Sequence, residues 1–370
     1  MNKIVANIGQ APKQKVFVAM SGGVDSSVAA LLLQNDGYDV VGVFMKCYNL
    51  DGCAERDAED ARRVAQKLDI PFYAWDFEKE YKEKVVDYMI EGYRQGITPN
   101  PDVMCNKEIK FGLFFKKAMA MGADFIATGH YVRLKDGRLY QAVDNNKDQS
   151  YFLWTLTQEQ LPHCLFPIGD YIKSKVREIA RQAGLPTADK KDSQGICFLG
   201  KISVDDFLKQ YIPERRGAVI TAAGKKIGEH SGAEFYTIGQ RHIDADIVFP
   251  KTGKTAERQP LYVSEKNVKD NTVTVAEGKD NQALYKKEIH LAGINFMSGA
   301  LPKISSLTVL ARVRYRQPLG KAVLNGTTLT FEQPQKFVAV GQSVVFYLPS
   351  ETLLKEGSLQ YEMLGGGIIL

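Results

Sequence analysis

The chain is 370 residues long, 44% hydrophobic and 25% charged, with a formal net charge of +5. At about 150 residues per domain that length accommodates two or three domains, and the apolar content excludes an intrinsically disordered chain. The mild positive charge permits a nucleic-acid partner without demanding one.

No apolar run nears the ~18 residues of a membrane span, and the N-terminal residues lack the apolar core of a secretory leader. Five cysteines in so long a chain do not suggest a disulfide framework. A cytoplasmic protein without a membrane partner is expected.

Residues 16–20 form an apolar run that reads as a strand, and residues 28–33 read as a helix. Between them lies Ser21-Gly22-Gly23-Val24-Asp25-Ser26-Ser27. Paired glycines let the backbone take positive φ and approach a ligand with no Cβ in the way. N–H groups at a helix start converge on an anion, and the serine hydroxyls add donors. A Walker A loop requires G-x-x-x-x-G-K-[ST], which is absent. The plain alternative is a serine-rich helix cap.

Further strand signals fall at residues 39–45, 70–75 and 125–128, and helical ones at 54–68, 81–93 and 107–121. Alternation of this kind predicts an α/β fold with a doubly wound parallel sheet, ligands lying at the carboxyl ends of its strands. Asp136-Gly137 between two short apolar runs marks a β-hairpin. Helix returns at 173–183, stopped by Gly184 and Pro186.

After about residue 205 short β-type runs take over: 261–263, 272–275, 307–310, 337–340 and 343–347. They predict a small sandwich or barrel. Boundaries are placed near 205 and 285, giving segments 1–205, 206–284 and 285–370. Gly365-Gly366-Gly367 reads as a turn before a last short strand.

Asn100-Pro101-Asp102-Val103-Met104-Cys105-Asn106-Lys107 carries the second constellation. Pro101 sits where a helix begins, which places Asp102 and Asn106 near its positive end. The helix dipole and Lys107 are expected to stabilise a Cys105 thiolate. Asp102, three residues away, is the candidate acid/base beside that thiol. A structural cap with a buried cysteine remains the plain reading of this stretch alone. Cys197 stands between Gly195 and Gly200, after Lys190-Lys191-Asp192; a cation-flanked thiol among glycines suits a sulfur carrier. Gly129 ends the fourth strand, where a nucleotide on the sheet would lie, and His130 follows it. Arg312, Arg314 and Arg316 alternate with apolar residues, so on a strand they would share one face.

The glycine turn resembles the pyrophosphate-binding loop of the N-type ATP pyrophosphatases. Taken in order, S-G-G-V-D-S-S, N-P-D-x-x-C-N-x-x-I-K-F, A-T-G-H-Y, N-K-D-Q-S-Y-F-L and G-I-C-F resemble the tRNA-specific 2-thiouridylases, over essentially the whole chain. The resemblance implies an adenine nucleotide α-hydrolase-like N-terminal domain, a small central domain and a β-barrel-like C-terminal domain that meets tRNA. It implies thiolation of C2 of the wobble uridine in the tRNA anticodon stem-loop, with ATP and Mg2+ as cofactors and a sulfur-donor protein as partner.

ATP would be held by Ala19, Met20, Ser21, Gly22, Gly23, Val24, Asp25, Ser26, Met45 and Gly129. The target base would lie among Asn100, Pro101 and Asp102, with His130 near it. Cys105 would be the catalytic thiol and Cys197 the persulfide carrier, the two ending as a disulfide. Lys147, Asp148, Gln149, Arg314, Tyr315 and Gln342 would contact tRNA.

The segment after Gln240-Arg241, His242-Ile243-Asp244-Ala245-Asp246-Ile247, departs from the glycine-rich loop usual in that family. Cys47 and Cys53 have no companion His or Cys and do not read as a zinc site. Competing readings are a sulfonucleotide reductase, which needs no β-rich C-terminus, and an amidoligase, which needs no cysteine pair. A pure RNA-binding module leaves the glycine turn without a use.

Overall fold

The computed structural model describes residues 13–48, 52–192, 198–200, 202–241, 243, 245–247, 259–299, 306–349 and 361–370. The N-terminal sheet contains β1 (Lys15–Ala19), β2 (Asp39–Lys46), β3 (Phe72–Asp76), β4 (Phe125–Thr128) and the two-residue β7 (Cys164–Leu165). Its order is β3-β2-β1-β4-β7, with every pairing parallel.

Alternation along β1 assigns its residues to two cores, as a strand period of two requires. Val16, Val18 and Met20 pack with α1 (Val24–Asn35) and α2 (Cys53–Leu68). Phe17 and Ala19 pack on the other face with Trp75, Ile109 and Phe114. Each fully buried side chain of this size contributes roughly 1.5–3 kcal/mol. Helices therefore cover both faces, and the chain leaves β1 for β2 on one side and β4 on the other. That reversal opens a crevice at the carboxyl ends of β1 and β4.

The hairpin β5 (Val132–Lys135) and β6 (Arg138–Gln141) turns at Asp136 and Gly137, with φ of 51° and 72°. Two successive positive φ values are what a tight two-residue hairpin turn needs. A second sheet has the order β10-β9-β8-β12-β11. Its strands are β8 (Gly217–Thr221), β9 (Lys226–His230), β10 (Ala245–Ile247), β11 (Leu261–Asn267) and β12 (Thr272–Glu277). The departing segment thus contributes β10 to an edge, while His242 and Asp244 lie outside the described residues.

The third sheet comprises β13 (Tyr285–Phe296), β14 (Leu307–Arg312), β15 (Gly320–Asn325), β16 (Thr328–Lys336), β17 (Ser343–Pro349) and β18 (Tyr361–Ile369). The pairing of β13 with β18 closes these six strands into an antiparallel barrel. A closed sheet has no free edge strand. The hairpin β5–β6 extends the barrel sheet through the pairing of Tyr140 with Glu362, so the first and last parts of the chain share a sheet.

The structure departs from three local expectations. Gly365, Gly366 and Gly367 lie inside β18, not in a turn before it. A Cβ on Gly365 would collide with the Asn295 carbonyl, and one on Gly366 would stand 2.5 Å from the Val344 carbonyl and 2.8 Å from Trp154. The glycines answer crowding from neighbouring strands. Residues 337–340 are not a strand: β16 ends at Lys336 and Phe337 has φ of 58°. Finally, β14 ends at Arg312, and Arg316 lies in a turn with φ of 64°. Arg312, Arg314 and Arg316 therefore do not share a strand face.

Candidate active site

The glycine turn lies in the crevice. Gly22 has φ of 71°, and a Cβ there would collide with the backbone carbonyl of Asp57 on α2. Gly23 is the N-cap of α1 and offers no side chain, so the first amides of the helix are not covered by a cap. Ser26 Oγ accepts from Ser21 N at 3.1 Å and lies 3.3 Å from Ser21 Oγ. Ser27 Oγ donates to Gly23 O at 2.8 Å. These bonds fix the curl of the loop around the helix N-terminus, a ready anion site.

Across the crevice, a Cβ on Gly129 would stand 2.7 Å from Ser26 N and 2.8 Å from Asp25 C. Only glycine allows that approach. Ala19 and Met45 occupy the carboxyl-end halves of β1 and β2, where Ala19 pairs with both Val43 and Thr128.

Asp25 is the charged residue of the loop. Lys173 Nζ donates to both its oxygens, at 2.7 and 2.8 Å, and the Tyr131 hydroxyl donates to Oδ1 at 2.9 Å. Burial, the Asp25 charge and this hydrogen bond together push the Tyr131 phenol far up, so it remains a donor.

The thiol helix begins as expected. Asn100 caps it by accepting from Val103 N at 3.2 Å, and Pro101 takes the first turn, where its missing N–H costs nothing. The helix then opens into π geometry over Cys105–Phe114. Its hydrogen bonds join residues five apart, a form that concentrates at functional sites. Cys105 and Lys110 are so spaced.

Cys105 is a buried free thiol. Burial pushes it up; the Lys110 ammonium works against that shift and the Asp102 charge adds to it. The expectation that the helix dipole and Lys107 hold a ready thiolate is corrected. Lys107 pairs with Glu108 at 3.5 Å, the relevant cation is Lys110, and burial outweighs it. Burial also raises Asp102 above the usual carboxylate range, with Lys110 in opposition. A carboxyl group raised in this way beside a thiol is a candidate for proton transfer.

Lys110 also links this helix to the crevice at the glycine turn. Its Nζ lies 3.5 Å from His130 Nε2, while His130 Nδ1 lies 2.7 Å from Thr128 Oγ1. Burial, then the Lys110 charge, lowers His130 well below its ordinary value, so the ring stays neutral. Lys110 escaped the sequence reading because its partner is five residues away, off the helical period of 3.6. The lysine in N-K-E-I-K-F was the available signal.

The residues assigned to tRNA divide. Lys147 Nζ is 2.6 Å from Asp192 Oδ2. Asp148 is 2% exposed and points inward: it accepts from Ser150 Oγ at 3.0 Å, Gln141 Nε2 at 3.0 Å and Arg312 Nη2 at 3.1 Å. Gln149 Oε1 accepts from Tyr131 N at 3.0 Å. Gln342 Nε2 donates to Thr98 O at 3.0 Å, just before Asn100. In this conformation Asp148, Gln149 and Gln342 bind the protein itself. Arg314 and Tyr315 line an open cleft of about 760 Å³ together with Arg316, Lys321, Gln335 and Lys336. Phe152 packs on Tyr315 with ring centres 4.6 Å apart. Cys197 lies outside the described residues.

Fold and site define a phosphate-loop α/β protein with a thiol–carboxylate helix beside its crevice and a β-barrel appended. Residues 14–201 match the tRNA methyl transferase HUP domain family, 205–277 the tRNA methyl transferase PRC-barrel domain family, and 286–369 the aminomethyltransferase beta-barrel domain family. The chain is 45% identical over 371 residues to the tRNA-specific 2-thiouridylase MnmA of Streptococcus thermophilus (strain ATCC BAA-491 / LMD-9), covering 96% of this chain and 95% of that one. It is 45% identical over 361 residues to tRNA-specific 2-thiouridylase MnmA 2 of Geobacillus kaustophilus, covering 94% and 95%. The chain belongs to the tRNA-specific 2-thiouridylase family.

Among solved structures, a 4-thiouridine synthetase–RNA complex with bound ATP aligns at a TM-score of 0.34 and 17% identity, over 54% of this chain and 50% of that one. That likeness is too loose to add to the assignment. Among the described residues no helix is long and apolar enough to cross a membrane.

Proposed function

We propose that the protein uses ATP to replace the C2 oxygen of a tRNA wobble uridine with sulfur. One observation carries this reading: the thiol–carboxylate helix and the glycine turn converge on a single crevice. Lys110 of the helix reaches His130, and the adjacent Gly129 packs on the backbone of Asp25 and Ser26. Membership of the family supplies the substrate class. The parts divide the work as 1–205 for catalysis, 206–284 as a connecting unit and 285–370 for binding tRNA.

The uridine C2 oxygen is a poor leaving group. In the proposed first step it attacks the α-phosphorus of ATP, a P–O bond forms and pyrophosphate leaves. Amides of the turn and the hydroxyls of Ser21 and Ser26 would hold the phosphates, and Lys173 would counter their charge. The half-exposed Asp25 carboxylate (33% side-chain exposure) is the residue that would hold magnesium. The ion would supply further neutralisation of the pyrophosphate.

Sulfur from a Cys197 persulfide then bonds to C2, either directly or as released sulfide, and the oxygen departs in AMP. Cys105 attacks the Cys197 sulfur, breaks its S–S bond and leaves a Cys105–Cys197 disulfide for an external thiol to reduce. Asp102 would take the Cys105 thiol proton as that sulfur attacks and give it to the released thiolated base. A base must leave its stack to reach such a site; Asn100, Pro101 and Asp102, with His130 behind them, would receive it. The cationic cleft at Arg314 and Tyr315 would take tRNA phosphates and bases, with Lys147 joining it. Asp148 serves by holding Arg312. A sulfur-donor protein would load Cys197.

The test is mass spectrometry of digested tRNA from depleted cells rescued with wild type, Cys197→Ser or Asp25→Ala. Wobble 2-thiouridine should vanish on depletion and return only with wild type. An unchanged level would bring the reductase and amidoligase readings forward.

A further inference from the structure

Lys173 serves two carboxylates. Besides the two bonds to Asp25, its Nζ lies 2.8 Å from Asp192 Oδ1. Asp192 also takes Arg177 at 2.7 Å and Lys147 at 2.6 Å. The residues leading to Asp192 are bolted to the same crevice: Thr187 Oγ1 donates to Ser27 Oγ at 2.9 Å and Arg177 Nη1 to Ala188 O at 2.9 Å. Lys190 bridges Asp57 and Asp60 at 2.7 and 2.6 Å, and Asp57 is the residue whose backbone meets Gly22. Asp192 stands five positions before Cys197.

We propose that Lys173 is a positioning residue that the phosphate chain of ATP takes over from Asp192, so that occupancy of the glycine turn loosens the Asp192 anchor. This rests on the reading that the turn binds ATP. Lys173 is only 13% exposed, and its ammonium is already at the helix end where phosphates would collect. Both partners take charge-assisted bonds from an ammonium, but a polyphosphate brings several charges against the one on Asp192, so the Coulomb attraction favours ATP. A lysine ammonium is a compact charge that can be re-aimed without losing a fork geometry. Asp192 thereby acts as a competitor of ATP, and the competition passes through Lys173.

The test is a double-mutant cycle on ATP affinity, measured by calorimetry on the full chain at fixed salt. K173M should weaken ATP binding about tenfold. D192N should tighten it about threefold in the wild-type background and leave K173M unchanged, since the competitor acts only through that lysine. K173R, which keeps the charge, should restore sensitivity to D192N. Hydrogen exchange of peptides covering residues 185–192 gives the second readout: ATP should raise exchange in wild type and not in K173M. Equal D192N effects in both backgrounds would reduce Asp192 to a general field effect and overturn the proposal, as would unchanged exchange in ATP-saturated wild type. Failure of wild type to bind ATP at all would overturn the functional reading beneath it.

Discussion

Gln342 donates its side-chain amide to the carbonyl of Thr98 at 3.0 Å, across 244 residues of sequence. The same barrel turn accepts the Thr98 amide at Val340 O, 2.8 Å away. The barrel thus grips the backbone immediately before Asn100 and sets where the thiol helix begins. Gln342→Ala removes the donor to Thr98 O and the longer 3.4 Å contact of the same amide with Pro99 O, worth about 1 kcal/mol. Its expected effect is a thiolation rate reduced roughly tenfold, with ATP affinity within about twofold of wild type. Steady-state assays on tRNA, paired with ATP titration, check both halves. Equal losses in the two would show that the bond holds the whole fold.

Gly129→Ala addresses the crevice from the other side. The added methyl would stand 2.7 Å from Ser26 N, against backbone that has no side-chain rotamer to yield. Overpacking of this sort costs typically about 1–3 kcal/mol. The loop should shift, and ATP affinity should fall by about tenfold or more while the barrel stays folded. Calorimetric titration measures the affinity, and the near-ultraviolet spectrum reports the fold. Undiminished ATP binding would remove Gly129 from the site.

The reactivity of Cys105 separates its two charged neighbours. Lys110 lowers the thiol and Asp102 raises it. Lys110→Met should therefore slow alkylation of Cys105 at pH 8 and move the pH midpoint upward. Asp102→Asn should move it downward. Peptide-resolved iodoacetamide labelling across pH 6 to about 10 follows the change. Shifts of the same sign in both variants would contradict the arrangement.

The glycine turn was legible because its requirements are local: positive φ at Gly22, an open helix start at Gly23 and an acid one residue into the helix. The same holds for Asn100 and Pro101, whose capping is decided within four residues. What escaped depends on distant partners. Lys110 belongs to the site through a π-helical period and through His130. The run Gly365 to Gly367 is dictated by Asn295, Val344 and Trp154 on other segments. Arg314 and Arg316 have strand-like spacing, but the chain turns after Arg312, whose guanidinium is held by Asp148 from 164 residues away. The Asp-Gly hairpin was readable as a hairpin; its union with the barrel at Glu362 was not.

Lys266 offers a test of packing between the α/β unit and the central sheet. Its ammonium donates to Tyr236 O at 2.6 Å and lies 5.7 Å from the centre of the Tyr93 ring. Burial, partly offset by the Glu234 charge, lowers it to about 8. The unfolded chain keeps its proton up to about pH 10.4, so between pH 8 and that value the unfolded state binds more protons. Stability should therefore rise with pH across this window by about 3 kcal/mol from this residue. Below pH 8 both states carry the charge, and the cost of burying it is present in full. Lys266→Met removes the slope. Denaturant melts of wild type and variant at pH 7, 8, 9 and about 10 should show the difference between them shifting in favour of wild type as pH rises. A constant difference would mean that the ammonium is solvated in the folded protein, and that the two units do not close over it.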